Sequence, residues 1–322
     1  MTKRDLLALE DWSPGEVESV LKLARRIKQG ELSGGLERKT LGLVFLNPDP
    51  HIKLSLKTAM SIHGGQAVEA EAEQQIVDAA RVLGRMIDAV AVRAYETNGS
   101  WAAAREDSLL NAFARHCPKS VINAGSTRRD PCQALADSMT LRERLGDVEG
   151  KRFVLTWAWH PRALPTAVPA SAALAAAGLG MEIVIARPEG YELDPEDTAL
   201  IRKTAQEMGG EFVHIIDDPD DALVGADAVY VASWGSVKLF GNAEQEQETR
   251  SGLRDWRLTS SRLRSTRGGK GIVMHAFPYL RDVEIDDKVL ESANAVVVDQ
   301  AENRLHAERA ILLELMRTSS SL

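Results

Sequence analysis

The segment 47–53, NPDPHIK, places one acid and two basic side chains directly after an apolar run. A loop that leads from a strand into a helix is a common anion site, because free backbone N–H groups and the helix dipole point at the ligand. His51 and Lys53 would act as donors at such a site. Alternatively, the two prolines and Asp49 form a turn and a helix cap, which suits these residue types. Both interpretations stay open. An acid such as Asp49 is unexpected in a loop of the type that binds phosphate, because it would repel the anion.

Two further stretches carry polar side chains at predicted strand or helix ends. Arg93 ends the apolar run IDAVAVRA, where it would be either a planar clamp for a ligand or an edge residue whose stem covers apolar surface. Asp130 precedes Pro131, a pattern typical of a helix N-cap. Gln133 falls in the first turn of that helix, where its amide would face a cleft.

The C-terminal half adds a histidine and an arginine. In GIVMHAFPYLRD, a predicted strand ends near His275 and Pro278 closes the following loop. A histidine at the C-terminal end of a strand is a candidate functional residue, although it could instead be a structural residue of the core. Arg304 lies at the start of the last predicted helix, where a cation opposes the helix dipole. Its position indicates an anionic partner.

These residues require an alternating α/β framework to position them. The segment SPGE, residues 13–16, is a capping box with proline at the first helical position, and it predicts a helix that ends at Gly30. Helical patterns at about 53–63, 73–85, 101–115, 168–178, 195–208 and 219–225 then separate ten strand-like runs. This alternation predicts parallel sheets covered by helices on both faces. The runs are 40–46, 66–70, 87–94, 120–124, 153–158, 181–186, 212–216, 228–233, 271–276 and 295–299. There is no GxGxxG after the first run and no GxxxxGK[ST], so neither a dinucleotide fold nor a P-loop is supported.

The predicted fold class is α/β, with two doubly wound parallel-sheet domains joined by a bridging helix. The helical stretch PCQALADSMTLRERLG bridges a first domain, 1–135, and a second domain, 136–302. The C-terminal helix, about 303–322, joins the first domain. A cleft between two such domains is a usual place for a small-molecule site.

Composition excludes several classes of protein. The chain has 322 residues and a net charge of −8, which argues against a nucleic-acid surface. No apolar run is long enough for a membrane span, and the segment MTKRDLLALED does not develop a signal-peptide core. The two cysteines lack disulfide-framework or metal spacing, so we expect a cytoplasmic protein without metal or cofactor.

The order of several motifs resembles that of the aspartate/ornithine carbamoyltransferases, and most closely their N-acetylornithine branch. The matching stretches are LEDWSPGEV, GLVFLNP, ARVLGRMIDAVAVRAY, PCQALAD, FVLTWAWHPRALPTAVPAS, DAVYVASWG, LFGN, MHAFP and DQAENRLHAERAI. The resemblance implies carbamoyl phosphate in the first domain, an amino-acid acceptor in the second, and active sites shared within a homotrimer. It also makes HPRALPTAVP a candidate for a trefoil knot in the second domain.

The resemblance assigns roles to ten residues of this sequence. It implies that Arg93, Gln133 and His275 are catalytic. The substrate-binding positions that it implies are Asp49, His51, Lys53, Asp130, Trp234, Phe277 and Arg304.

The sequence departs from the family at the phosphate turn. The family's Ser-x-Arg-Thr-Arg turn corresponds here to residues 49–53, DPHIK, and the histidine before PCQ corresponds to Asp130. The His-Cys-Leu-Pro loop has become HAFP, residues 275–278. Each lost charge-assisted hydrogen bond removes about 1.5–3 kcal/mol, and lysine is not a bidentate substitute for arginine. The substitutions therefore predict weak binding of carbamoyl phosphate.

Three hypotheses for function follow. The first is an enzyme of this superfamily that acts on or binds an amino acid, or a ureido or guanidino metabolite, in the interdomain cleft, with little use of carbamoyl phosphate. In it, Asp49 and Asp130 pair with a cationic group of the ligand. The second is a catalytically silent paralogue that binds a metabolite or a partner. The third is a conventional ornithine or N-acetylornithine carbamoyltransferase of arginine biosynthesis.

Overall fold

A computed structural model describes residues 3–71, 75–210 and 213–316. The chain divides into two compact units. Unit 1 comprises Met1–Glu96, Ala102–Ala136 and Glu302–Leu322, and unit 2 comprises Thr97–Trp101 and Asp137–Ala301. No helix in the described ranges is long and apolar enough to cross a membrane.

Nine strands are found among the described residues. They are β1 Thr40–Phe45, β2 Gln66–Glu69, β3 Ala89–Ala94, β4 Ser120–Ser126, β5 Arg152–Trp157, β6 Glu182–Ala186, β7 Val213–Ile216, β8 Ala228–Ala232 and β9 Ile272–Met274.

The helices cover the sheets and provide most of the connections. They are α1 Pro14–Lys28, α2 Pro50–Ile62, α3 Ile76–Leu83, α4 Trp101–Ala104, α5 Ser108–His116, α6 Pro131–Leu145, α7 Ala167–Gly178, α8 Pro195–Glu207, α9 Pro219–Ala222, α10 Ala243–Ser251, α11 Ser260–Ser265, α12 Asp287–Leu290 and α13 Val297–Met316. Short 3₁₀ turns occupy Leu9–Asp11 and Arg267–Gly269.

Unit 1 is built on a parallel sheet of strand order β2-β1-β3-β4. The central strands are apolar on both faces, as a sheet covered by helices requires; Leu41, Leu43 and Val44 of β1 are at most 1% exposed. The register pairs Phe45 of β1 with Arg93 of β3. The loop after β1 therefore starts beside Arg93, the penultimate residue of β3.

Unit 2 is built on a five-stranded parallel sheet of order β7-β6-β5-β8-β9. Its core packs the large side chains of Phe153, Trp157, Tyr191, Tyr230 and Trp234 against helices on one face of the sheet. The predicted fold class, with two parallel-sheet domains, is confirmed.

Local signals located α1 correctly. Ser13 and Glu16 form a capping box, in which the Ser13 backbone N–H donates to Glu16 Oε2 at 2.8 Å and the Glu16 N–H donates to Ser13 Oγ at 3.3 Å. Pro14 occupies the first turn, and the apolar face of the helix is buried.

The predicted strand 295–299 is wrong. Only Ala295 makes an isolated bridge, to Val273, and Val297 begins α13. A short apolar run does not distinguish a strand from a buried helix start, and Asp299 suits the first turn of a helix because its charge complements the dipole.

Three smaller differences concern element bounds. The helical pattern 101–115 is interrupted, because Asp107 adopts a φ of 45° between α4 and α5. The predicted strand 212–216 is observed from Val213, and its residue 212 lies outside the described residues. Residues 317–322 of the predicted C-terminal helix also lie outside them.

Candidate functional site

Asp49 caps helix α2 with one carboxylate oxygen. Its Oδ1 accepts hydrogen bonds from the backbone N–H groups of His51, at 3.1 Å, and Ile52, at 3.0 Å. The side chain is 16% exposed, so its charge is largely removed from water. The cap interpretation of this loop is therefore correct, and the two N–H groups that would meet an anion already contact a carboxylate.

Arg93 approaches the second oxygen of the same carboxylate. Its Nη2 lies 3.4 Å from Asp49 Oδ2, and its Nη1 donates to the carbonyl of Ala124 at 3.0 Å. The guanidinium carbon lies 5.3 Å from the centre of the Tyr95 ring. Arg93 Nε is buried and has no hydrogen-bond partner among the described residues. Two nitrogens of the Arg93 guanidinium group therefore have partners, whereas Nε has none among the described residues.

The backbone ties this loop to the end of β3. Leu46 N–H donates to the Arg93 carbonyl at 2.9 Å, and Tyr95 N–H donates to Asn47 Oδ1 at 2.7 Å. The separation of Asp49 and Arg93 therefore follows from the parallel register of β1 and β3.

Gly125, which sequence reasoning missed, makes room for the guanidinium. It has a φ of +119°, and a Cβ added there would lie 2.1 Å from Arg93 Nη1 and 3.6 Å from Asp130 Oδ2. Gly125 therefore lies against both Arg93 and Asp130. The available signal was a glycine next to the predicted strand 120–124, since a glycine in or beside a strand often marks a close approach of another group.

Replacing Gly125 with alanine is expected to destabilise unit 1 by about 1–3 kcal/mol and to displace Arg93, because the new methyl group would overlap its guanidinium. Urea unfolding would measure the loss. Gly30→Ala is the matched control, because Gly30 also has a positive φ, +80°, but no described atom within 4 Å of its Cβ position. Equal losses in the two variants would show that backbone strain, and not the overlap with Arg93, accounts for the effect.

A second group of polar side chains joins the start of α6 to α13. Asp130 Oδ1 accepts from the Gln133 N–H at 3.0 Å, which makes Asp130 the predicted N-cap. Its Oδ2 accepts from Arg304 Nη1 at 3.2 Å, and the same Nη1 donates to Gln133 Oε1 at 3.0 Å. Asp130 is therefore an anionic partner of Arg304.

Glu308 completes this group and was also missed. Its Oε1 accepts from Arg304 Nε at 2.9 Å, and its Oε2 accepts from the Ser55 hydroxyl. Burial raises the pKa of Glu308 to about 7, against the opposing influence of Arg304 and Ser55. The i, i+4 spacing from Arg304 was a usable signal. Arg304 Nη2 is buried without a hydrogen-bond partner among the described residues.

The remaining cation of the loop is paired elsewhere. Lys53 Nζ donates to Glu69 Oε2 at 2.6 Å, and the lysine lies 5.6 Å from the centre of the Phe45 ring. The His51 side chain is exposed, whereas its backbone N–H bonds to Asp49. Unit 1 therefore brings together Asp49 with Arg93, and Asp130 with Gln133 and Arg304.

In unit 2, His275 follows β9 and is 6% exposed. Its Nδ1 lies 2.6 Å from the Ala276 carbonyl oxygen, and its Nε2 lies 3.2 Å from Glu284 Oε1. Its backbone N–H donates to Gln300 Oε1 at 2.9 Å. Since both ring nitrogens face oxygens, a substrate that used His275 would have to replace one of these contacts.

Glu284 is 1% exposed and was not identified from the sequence. Its Oε2 accepts from the Leu280 N–H at 2.8 Å. Burial acts to raise the pKa of Glu284, but the hydrogen bond and charge of His275, with smaller contributions from Leu280 and His160, lower it overall. Glu284 is thus an ionised group that fixes the orientation of the His275 ring.

The other two predicted residues of unit 2 differ in exposure. Phe277 is 48% exposed, with its ring edge-on to Tyr279 at 5.8 Å, so its surface is open to a ligand. Trp234 is fully buried, and its indole N–H donates to the Tyr191 carbonyl at 2.9 Å. Its side chain is part of the core, which favours a packing role over direct contact with a ligand.

Metal ligation receives no support from the described residues. Within residues 3–71, 75–210 and 213–316, no three His, Cys, Asp or Glu side chains are grouped to hold an ion. Cys117 and Cys132 are buried free thiols, and burial raises the pKa of both.

Comparison with known proteins gives matches along nearly the whole chain. An N-acetylornithine carbamoyltransferase of Xanthomonas campestris is 34% identical and aligns with 99% of this chain and 99% of its own length. One from Xylella fastidiosa is also 34% identical, with 98% and 99% covered. An ornithine carbamoyltransferase of Pyrococcus abyssi is 33% identical, with 97% and 96% covered.

Solved structures agree with these sequence matches. An acetylornithine transcarbamylase complexed with acetylcitrulline superposes with a TM-score of 0.93 at 34% identity, covering 98% of this chain and 100% of that one. An N-acetyl-L-ornithine transcarbamylase mutant complexed with carbamyl phosphate and N-succinyl-L-norvaline superposes with a TM-score of 0.92 at 34% identity, covering 97% and 99%.

Family profiles match both parts of the chain. The aspartate/ornithine carbamoyltransferase profile for the carbamoyl-P binding domain matches residues 4–143, and that for the Asp/Orn binding domain matches residues 155–315. Together with the relatives that are 34% identical over 98–99% of the sequence, these matches show that the chain belongs to the aspartate/ornithine carbamoyltransferase family.

Proposed function

We propose that this protein is a carbamoyltransferase that transfers a carbamoyl group to the side-chain amine of an amino acid of the N-acetylornithine type. The observation that carries this proposal is the similarity to N-acetylornithine carbamoyltransferases, which extends over 99% of the chain at 34% identity. Of the three hypotheses from sequence, this one is supported better by the relatives than altered chemistry or a silent paralogue.

The proposed reaction forms a bond between the amine nitrogen of the acceptor and the carbamoyl carbon. With carbamoyl phosphate as donor, the carbon–oxygen bond to phosphate breaks, and the proton that the amine loses leaves with the departing phosphate. Donors aimed at the developing oxyanion are the usual source of rate enhancement in acyl transfer of this kind.

Two arginines of unit 1 have N–H groups that could donate hydrogen bonds to the developing oxyanion. Arg93 Nε and Arg304 Nη2 are buried N–H groups without a hydrogen-bond partner among the described residues, so each has a donor to offer. Gln133 lies beside Arg304, with its Oε1 at 3.0 Å. These contacts support Arg93 and Gln133 as catalytic residues and Arg304 as a group that binds or orients the donor.

Replacing Arg93 with alanine is expected to lower kcat/KM for carbamoyl transfer by about 100-fold or more, because a cationic donor to the oxyanion is lost. The purified protein would be incubated with carbamoyl phosphate and N-acetylornithine, ornithine or aspartate. Mass spectrometry would measure the ureido product, and phosphorus NMR would measure phosphate release.

Arg26→Ala is the matched control, since Arg26 of α1 is exposed and pairs with Glu31. It is expected to leave the rate unchanged. A folded wild-type protein that forms no ureido product with any of these acceptors would overturn the proposal.

A second candidate function, binding of a ureido or guanidino compound without transfer from carbamoyl phosphate, is favoured by one observation. Asp49 and Asp130 place carboxylates against Arg93 and Arg304, where an anionic donor would otherwise be held. Titration calorimetry with arginine and citrulline tests it. Saturable binding of either compound, combined with no phosphate release, would favour this function over carbamoyl transfer.

A further inference from the structure

The cations near the start of α2 are neutralised by carboxylates of the same unit. Lys53 and Lys57 share Glu69, with Nζ–Oε distances of 2.6 and 2.7 Å. These two hydrogen bonds, with the lysine charges, lower the pKa of Glu69 to about 2, so its carboxylate is ionised at neutral pH. The charge of each lysine is therefore already paired with that of Glu69.

The same holds for the arginine of α13. Arg304 contacts Asp130 at 3.2 Å and Glu308 at 2.9 Å, and these two residues are 2% and 1% exposed. A buried arginine with two carboxyl groups already has its charge compensated, even when Glu308 holds a proton for part of the time.

Asp49 completes the pattern, because it contacts three of the groups that an anion would use. One oxygen accepts from the N–H groups of His51 and Ile52, and the other lies 3.4 Å from Arg93 Nη2. A carboxylate bridging a helix N-terminus and an arginine has the donor set of a bound phosphate oxygen pair. Because Asp49 is the first residue of the cap, it cannot leave without uncapping α2.

We propose that the Asp49 carboxylate occupies, in the free protein, the position that the phosphate group of the donor takes, so that this one residue lowers the affinity of unit 1 for phosphorylated donors. The inference rests on the proposed function, since it concerns the donor of that reaction. A phosphate dianion binds only if it displaces Asp49 from the His51 and Ile52 N–H groups and from Arg93. Otherwise it binds beside a like charge, which is unfavourable.

Asp49→Ser and Asp49→Asn test the proposal directly. Both residues are good N-caps, so α2 keeps its first turn, but neither carries the charge. We expect each variant to bind inorganic phosphate about 100-fold more tightly than the wild type does, which corresponds to about 2.7 kcal/mol. We also expect the gain to shrink as the salt concentration rises.

Asp218→Ser is the matched control. Asp218 also precedes a proline at a helix start, and its Oδ1 accepts from the N–H groups of Asp220, at 2.7 Å, and Asp221, at 3.1 Å. It caps α9 with the same geometry, at an exposed position in unit 2. This variant is expected to leave phosphate binding unchanged, so a general effect of removing a capping charge would be recognised.

Phosphorus NMR titration of inorganic phosphate into the four proteins would measure the affinities without any turnover. Tighter binding by both Asp49 variants supports the proposal, even if none of the proteins transfers a carbamoyl group. Wild-type protein that binds phosphate as tightly as the variants do would overturn it, even if the enzyme is active. If Asp49→Ser does not fold, Asp49→Asn, which is closest to aspartate in shape, decides the question.

Discussion

Replacing Arg250 with alanine is expected to destabilise unit 2 by about 3–5 kcal/mol, because it leaves the carboxylate of Glu246 buried without its cation. Arg250 is fully buried, and its Nη2 donates to Glu246 Oε1 at 2.6 Å and to the Trp234 carbonyl at 2.8 Å. Its Nη1 donates to Ser233 Oγ at 3.1 Å. The variant therefore also loosens the loop that follows β8.

Urea unfolding followed by tryptophan fluorescence would measure this loss, since Trp157 and Trp234 lie in the core around Arg250. The control replaces both partners, Arg250→Met with Glu246→Leu. Replacing a buried ion pair by apolar residues of similar volume costs much less than removing one partner. A single variant within 1 kcal/mol of the wild type would show that the buried pair contributes little.

Replacing Glu308 with glutamine is expected to remove a pH dependence of stability in unit 1. Burial raises the pKa of Glu308 from 4.5 to about 7 in the folded protein. Between these values the folded state holds a proton that the unfolded state releases. The stability of the wild type therefore falls as pH rises from 4.5 to 7, by an amount on the order of 3 kcal/mol, and this contribution is constant outside that window.

The measurement is the free energy of unfolding of the wild type and Glu308→Gln at several pH values between 4 and 8. The difference between the two proteins isolates this group from the other carboxyl groups, which titrate equally in both. We expect the wild type to lose stability relative to the variant as pH rises through the window. Parallel curves would show that Arg304 keeps Glu308 ionised throughout.

Asp49 and Asp218 allow the role of charge to be separated from that of helix geometry. Asp49 and Asp218 have the same local structure, an aspartate before a proline at a helix start. Only Asp49 also meets an arginine, and that contact arises because parallel pairing places Phe45 beside Arg93. The local sequence is therefore sufficient to predict the helix cap, but it does not predict that an arginine also contacts the Asp49 carboxylate.

The sequence by itself determined much of the framework. The parallel α/β class followed from apolar runs alternating with helical patterns, and α1 followed from its capping box, because these signals act over a few neighbouring residues. The caps at Asp49 and Asp130 were likewise predictable, since an aspartate before proline bonds to N–H groups two or three residues ahead.

The tertiary structure decided which charges meet. Glu308 was recognisable only as a neighbour of Arg304 on one helix, whereas its contact with Ser55 joins residues 253 positions apart. Gly125 and Glu284 gained their roles through Arg93 and His275, which lie far from them in sequence or across a loop. The run 295–299 became a helix start because only Ala295 pairs with β9. Pairing between distant segments depends on strand register and packing, which no short stretch of sequence contains.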